Sequence, residues 1–122
     1  MSFDNRSRQS GAERARAAQL EAMAEAGQIT NLIHHPRVEL SAAKIGWDLD
    51  FSYTDERGVD VYEDCKGLRG FDSEALDIKK KLWAAYGPAP LRITHRRENG
   101  AFIVRKTIFP PIQALNGPDS VG

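Results

Sequence analysis

"VDVYEDCKG", residues 59–67, decides how the chain is read. It opens with the alternation of a β-strand and then places Glu63, Asp64 and Lys66 within four positions. In a strand, Val59, Val61, Glu63 and Cys65 share one face, while Asp60, Tyr62, Asp64 and Lys66 share the other. Charges are costly to bury, and a solvated turn could have held them instead. Glu63, on the apolar face, therefore needs a buried partner or an edge position. Strand parity makes Lys66 the wrong candidate for that partner.

Upstream, "KIGWDLDFSY" alternates as well. Ile45, Trp47, Leu49, Phe51 and Tyr53 fall on one face, with Asp48, Asp50 and Ser52 on the other. "TDERG" has turn chemistry, so residues 45–66 are expected to form a β-hairpin. If the Asp50 face coincides with the Asp64 and Lys66 face, two carboxylates and an ammonium converge.

Downstream, "GLRGF" breaks the strand and residues 72–86 read as a helix, capped by Asp72 or Ser73 and stopped by "GPAP". "LRITHR" and "AFIVRKTIF" read as two further strands joined through Asn99-Gly100. At the other end, residues 1–9 are expected to be a flexible basic arm and residues 10–26 a helix ending at Gly27. Ser10 and Glu13 have the spacing of a capping box. Glu13 also lies one turn back along the Ala17, Leu20, Met23 and Ala24 stripe, so its carboxylate serves either the cap or the body of the protein. Ile29, Leu32 and Ile33 are apolar anchors before a turn near Pro36 and a short strand at 37–40.

The expected order is helix, three strands, helix, two strands. The path from 59–66 through the helix to 91–96 is a β-α-β unit with parallel strands, while the earlier hairpin is antiparallel. An α/β fold follows, with a mixed sheet flanked by helices in one domain over 10–109 and a C-terminal tail over 110–122.

The 122 residues suit one domain, and 41% apolar composition suits one modest core. Seventeen basic and seventeen acidic residues cancel, which argues against binding nucleic acid by bulk charge alone. Their distribution is uneven. Residues 47–77 carry ten acids against three bases, and residues 79–106 carry eight bases against one acid. That is what a site holding metal ions and touching phosphates needs, although a solvated surface of uneven charge would read the same way. The single cysteine, Cys65, excludes an intramolecular disulfide. No stretch reads as a signal peptide or a membrane span, so a reducing cytoplasm is the expected location.

Glu13 on a first helix, Asp50 in a strand and "DCK" (Asp64, Cys65, Lys66) closing the next resemble the PD-(D/E)xK, or restriction-endonuclease-like, nuclease superfamily. The nearer resemblance is to a family of small phage-associated proteins within it. It is carried by "SGAERARAAQLEAMAEAGQITNLIHHP", "DFSY", "EDCKG" and "IKKKLWAAYG", in that order, across roughly residues 7–87. The chain departs from that pattern in "LRGFDSEALD", which is acidic where the family has an aromatic or basic segment.

The resemblance implies an αβββαβ core and a DNA endonuclease that uses Mg²⁺ or Mn²⁺. Asp50 and Asp64 are the expected metal ligands, the Cys65 carbonyl a third oxygen, and Glu13 a further ligand. Lys66 would orient the attacking water or stabilise developing charge. Such chemistry suits Mg²⁺, which takes oxygen ligands, keeps several waters and needs only one or two protein carboxylates. Arg16, Lys79 and Lys81 are the expected nucleic-acid contacts. By family analogy the substrate extends to branched DNA such as four-way junctions, the working unit to a homodimer, and the partners to phage recombination, replication or packaging proteins in a bacterial host.

Plainer readings stand beside these. Asp64 and Lys66 also fit a surface ion pair, and the fold also fits a nucleic-acid-binding protein without turnover. His34, His35 and His95 lack zinc-ligand spacing with a second cysteine. Cys65 reads as a small packing residue, and Trp47, Trp83 and Tyr86 as packing aromatics.

Overall fold

The computed structural model describes residues 11–40, 45–66 and 74–111. The expected arm, the Ser10 cap, the Asp72 or Ser73 cap and the tail beyond residue 111 lie outside them. Helix α1 spans Gly11–Glu25, followed by strands β1 (Thr30–His34), β2 (Arg37–Glu39), β3 (Gly46–Asp48), β4 (Phe51–Thr54) and β5 (Asp60–Lys66). Helix α2 (Glu74–Tyr86) leads to β6 (Leu91–Arg96) and β7 (Phe102–Ile108). Among the described residues, no helix is long and apolar enough to cross a membrane.

Five strands form a mixed sheet in the order β1-β4-β5-β6-β7. β4 and β5 pair antiparallel, β5 and β6 pair parallel across the α2 connection, and β6 and β7 pair antiparallel. The β-α-β unit and the antiparallel hairpin are therefore both present. Local chemistry makes the turns. Gly58 adopts φ 81° while both Arg57 and Val59 donate to the Asp55 carboxylate. Gly100 adopts φ 90° in the β6–β7 turn, where Arg97 N–H donates to Ala101 O at 2.7 Å. Helix α1 ends at Gly27, φ 80°, with Gln28 N–H donating to Met23 O and Gly27 N–H to Ala24 O, the bond pattern of a Schellman cap.

The sheet is covered on both faces. Ala12, Ala17 and Leu20 of α1 pack with Phe51, Tyr53, Val61 and Cys65 on one side. Trp83 of α2 packs with Trp47, Leu49, Leu91, Ile93 and Ile108 on the other.

One expectation is corrected. Residues 45–53 do not form one continuous strand with a single apolar face. β3 pairs with β2 in a separate two-stranded sheet, Val38 opposite Trp47, and the chain bends before β4 begins. Leu49 N–H donates to Pro36 O and His35 N–H to Asp50 O, which anchors the bend from the side. Trp47 and Leu49 thus join the α2 cluster while Phe51 and Tyr53 join the α1 cluster. β1, which sequence reading treated only as a set of apolar anchors, pairs antiparallel with β4 as an edge strand. Its sequence, Thr-Asn-Leu-Ile-His, sets two polar and then two apolar residues side by side, so no alternation marks it, and four of its five residues are exposed.

Candidate active site

The site lies where β5 ends, beside the start of α1. The pairing of Phe51 with Glu63 brings the next pair along the ladder, Asp50 and Asp64, side by side. Asp64 is buried, and its Oδ2 accepts a hydrogen bond from Lys66 Nζ at 2.8 Å. Asp50 Oδ2 accepts from the Cys65 backbone N–H at 2.7 Å. Asp64 and Lys66 are therefore not an ordinary surface pair, since Lys66 is only about a quarter exposed and Asp64 less.

Electrostatics mark this place out. Burial, then the neighbouring Asp64 charge and, more weakly, Glu13, push the Asp50 pKa up to about 8, against the opposing hydrogen bond from Cys65 N–H. Burial works against the Lys66 ammonium, yet Asp64 and then Asp50 outweigh it and hold its pKa above the ordinary lysine value. Burial lifts the Cys65 thiol to about 12, so it is no nucleophile near neutrality; its Sγ lies 3.8 Å from Ala12 O, against the base of α1.

Glu13 is buried and meets the site from α1. Its carboxylate lies 2.6 Å from His35 Nε2, so with Glu13 ionised the imidazole donates and orients it. Sequence reading did not single out His35 for this role, and no local spacing could have. Only the β1–β2 corner, where His35 takes φ 58°, brings it to the helix.

Glu63 finds its buried partner in Arg16. The guanidinium donates to both carboxylate oxygens, at 2.7 and 3.2 Å, while Tyr53 Oη donates at 2.6 Å and Thr94 Oγ1 at 2.8 Å. Arg16, expected on a nucleic-acid surface, is instead held inside the protein and is 15% exposed. Burial and then the Glu63 charge raise the Tyr53 pKa to about 12, so it remains a donor. Glu13 and Arg16 are three residues apart on one face of α1, so the Arg16–Glu63 clamp also sets the position of Glu13 over β5.

The other expected contacts lie elsewhere. Lys79 Nζ lies 5.7 Å from the centre of the Trp47 ring, a cation–π placement on the α2 face, and Lys81 is exposed on α2.

The oxygen-rich donor set has the chemistry for a hard divalent cation. Two carboxylates are adjacent, one of them held protonated toward pH 8 by burial and by the other's charge, and both would ionise beside a cation. Among the described residues, no three His, Cys, Asp or Glu side chains form a group able to hold a metal by themselves. A cation here would draw on Asp50, Asp64, the Cys65 carbonyl and water.

A pH test of the carboxylate pair follows. Between about pH 4 and pH 8, folded Asp50 keeps a proton that the unfolded chain has lost, so its contribution makes stability fall as pH rises through that window. In chelator, Asp50→Asn should flatten this fall and raise the melting temperature at pH 8 by about 4 °C or more. Thermal unfolding followed by circular dichroism across the window checks it; an unchanged slope would mean that Asp50 is not strained by its surroundings.

Compared with protein-family models, curated proteins and solved structures, the chain matches none of them.

Proposed function

We propose that the chain is a small metal-dependent endodeoxyribonuclease of the PD-(D/E)xK kind, using Mg²⁺ or Mn²⁺ at Asp50 and Asp64. The observation that carries this reading is the juxtaposition of those two carboxylates, Asp50 pushed to about 8 by burial and by the Asp64 charge, with Lys66 bonded to Asp64 at 2.8 Å. Support also comes from the fold, in which a mixed sheet brings Glu13, Asp50, Asp64 and Lys66 to one end.

When bound, the cation would supply an acidified water and neutralise charge on the phosphate. The protein's own groups do the rest. Asp50 and Asp64 hold two oxygen positions fixed, one through Cys65 N–H and the other through Lys66. Lys66 presents an ammonium that stays charged at neutral pH beside the reacting phosphate, orienting water and stabilising developing charge. Glu13, oriented by His35 at 2.6 Å, would accept a hydrogen bond from a water of the cation's outer shell on the helix side.

The family resemblance extends the proposal to branched DNA, a two-fold dimer that cuts two strands, and a phage-encoded role in a bacterial cytoplasm. A second reading is a nucleic-acid-binding protein that keeps this fold without turnover, in which the Lys66–Asp64 bond at 2.8 Å is a partly buried structural ion pair.

Cleavage of labelled four-way junction, flap and linear duplex DNA separates the two. The expected result is cutting with Mg²⁺ or Mn²⁺ that chelator abolishes. DNA binding without cutting of any substrate, under either metal, would replace the enzyme with the binding protein.

A further inference from the structure

We propose that the cleft at the β6–β7 turn binds the phosphodiester backbone of nucleic acid and delivers it to the carboxylate site. The cleft has a volume of about 520 Å³ and is lined by His95, Arg96, Arg97, Arg105 and Ile103, with Glu98 as its one acid. Three guanidiniums against one carboxylate make it an anion site by charge. Arg97 and Arg105 are exposed, and among the described residues neither they nor Arg96 make a side-chain hydrogen bond or ion pair. These cations are not consumed by the fold, unlike Arg16, Arg37 and Arg92, each of which is held on a carboxylate.

Position adds a second argument. β5 and β6 run parallel, and Lys66 is paired directly with His95, so the cleft opens at the same end of the sheet as the carboxylates. A Cβ placed on Gly11 would lie 4.0 Å from Arg96 Nη1, which brings the cleft's inner rim to the first turn of α1, two residues before Glu13. A backbone lying along Arg105, Arg97 and Arg96 is therefore led toward Lys66. Guanidiniums suit this task because their planar donors match phosphate oxygens. The cleft takes over the phosphate binding that sequence reading assigned to Arg16, which is committed to Glu63.

The choice of nucleic acid as ligand rests on the nuclease reading, so the test separates the two. Binding of labelled duplex DNA, and of duplex RNA of the same sequence, is measured by fluorescence anisotropy in chelator across a salt series. The proteins compared are wild type, Arg97→Ala/Arg105→Ala, Arg97→Lys/Arg105→Lys and, as a control at the opposite end of β5, Arg57→Ala. The double alanine variant should bind about tenfold more weakly near 0.1 M salt, and its salt slope should drop by roughly 1.8, about 0.9 for each phosphate that an arginine no longer neutralises. The lysine pair should keep the slope, and Arg57→Ala should match wild type. A wild-type slope in the double alanine variant would overturn the proposal, as would equal weakening by Arg57→Ala or wild-type protein that binds neither nucleic acid. If such an alanine variant still binds and wild type cuts DNA, the cleft assignment falls while the nuclease reading stands. If the arginines carry binding and no metal produces cutting, the cleft stands and the nuclease reading falls.

Discussion

Asp64→Asn and Lys66→Ala are each expected to lower the rate of DNA cleavage by about 10³-fold or more, the scale seen when a group stabilising developing charge is removed. The reasoning is geometric. Lys66 Nζ and Asp64 Oδ2 are 2.8 Å apart, so each substitution removes one group and releases the other from its orientation. Their effects should therefore be far from additive in the double variant, as they are for residues acting as a unit. DNA affinity in chelator should stay within about threefold of wild type, because binding is assigned to cations elsewhere and only the chemical step uses this pair. A fall in rate matched by an equal fall in affinity would make Lys66 a plain phosphate-binding residue. Cleavage within about threefold of wild type in both variants would remove the site from the mechanism.

Glu63→Ala should cost about 3–5 kcal/mol of stability, the range for breaking a buried ion pair from one side. Glu63 is fully buried and accepts four hydrogen bonds, from Arg16 twice and from Tyr53 and Thr94. Removing the carboxylate leaves a guanidinium and two hydroxyls facing a cavity with no acceptor. Urea unfolding should show a large drop in midpoint at unchanged slope. Arg16→Ala in the Glu63→Ala background should cost much less than Arg16→Ala alone, since the partner is already gone. A loss under about 1 kcal/mol for Glu63→Ala would mean that water replaces the network.

The legible features were the local ones. The alternation in 59–66, the Asn99-Gly100 turn, the Gly27 stop of α1 and the βαβ order all follow from neighbours in sequence, and each recurs in the structure. The spacing of Asp64 and Lys66 implied one face, and the 2.8 Å bond between them agrees. Strand parity even signalled that Glu63 needed a buried partner. It did not name Arg16, which is 47 residues away and reads on α1 as one more exposed helical cation.

The illegible features depended on distant parts of the chain. β1 sets its two apolar residues, Leu32 and Ile33, side by side rather than in alternation, and its strand hydrogen bonds come from the β4 edge. The bend at Asp50 interrupts a run whose period-2 pattern favours a continuous strand. Backbone bonds from Leu49 to Pro36 and from His35 to Asp50 decide otherwise. His35 reaches Glu13 through that same corner.

By itself, the sequence determined which segments are helix and strand where periodicity and caps agree, the parallel and antiparallel senses of the β5 neighbours, and the residue types at the end of β5. Tertiary structure alone decided which charges are buried together, which arginines remain available to a ligand, and where one strand becomes two. The physical reason is range. Propensity, turn geometry and side-chain parity act over a few residues, whereas burial, ion pairing and edge-strand pairing are set by groups that meet only after the sheet has formed.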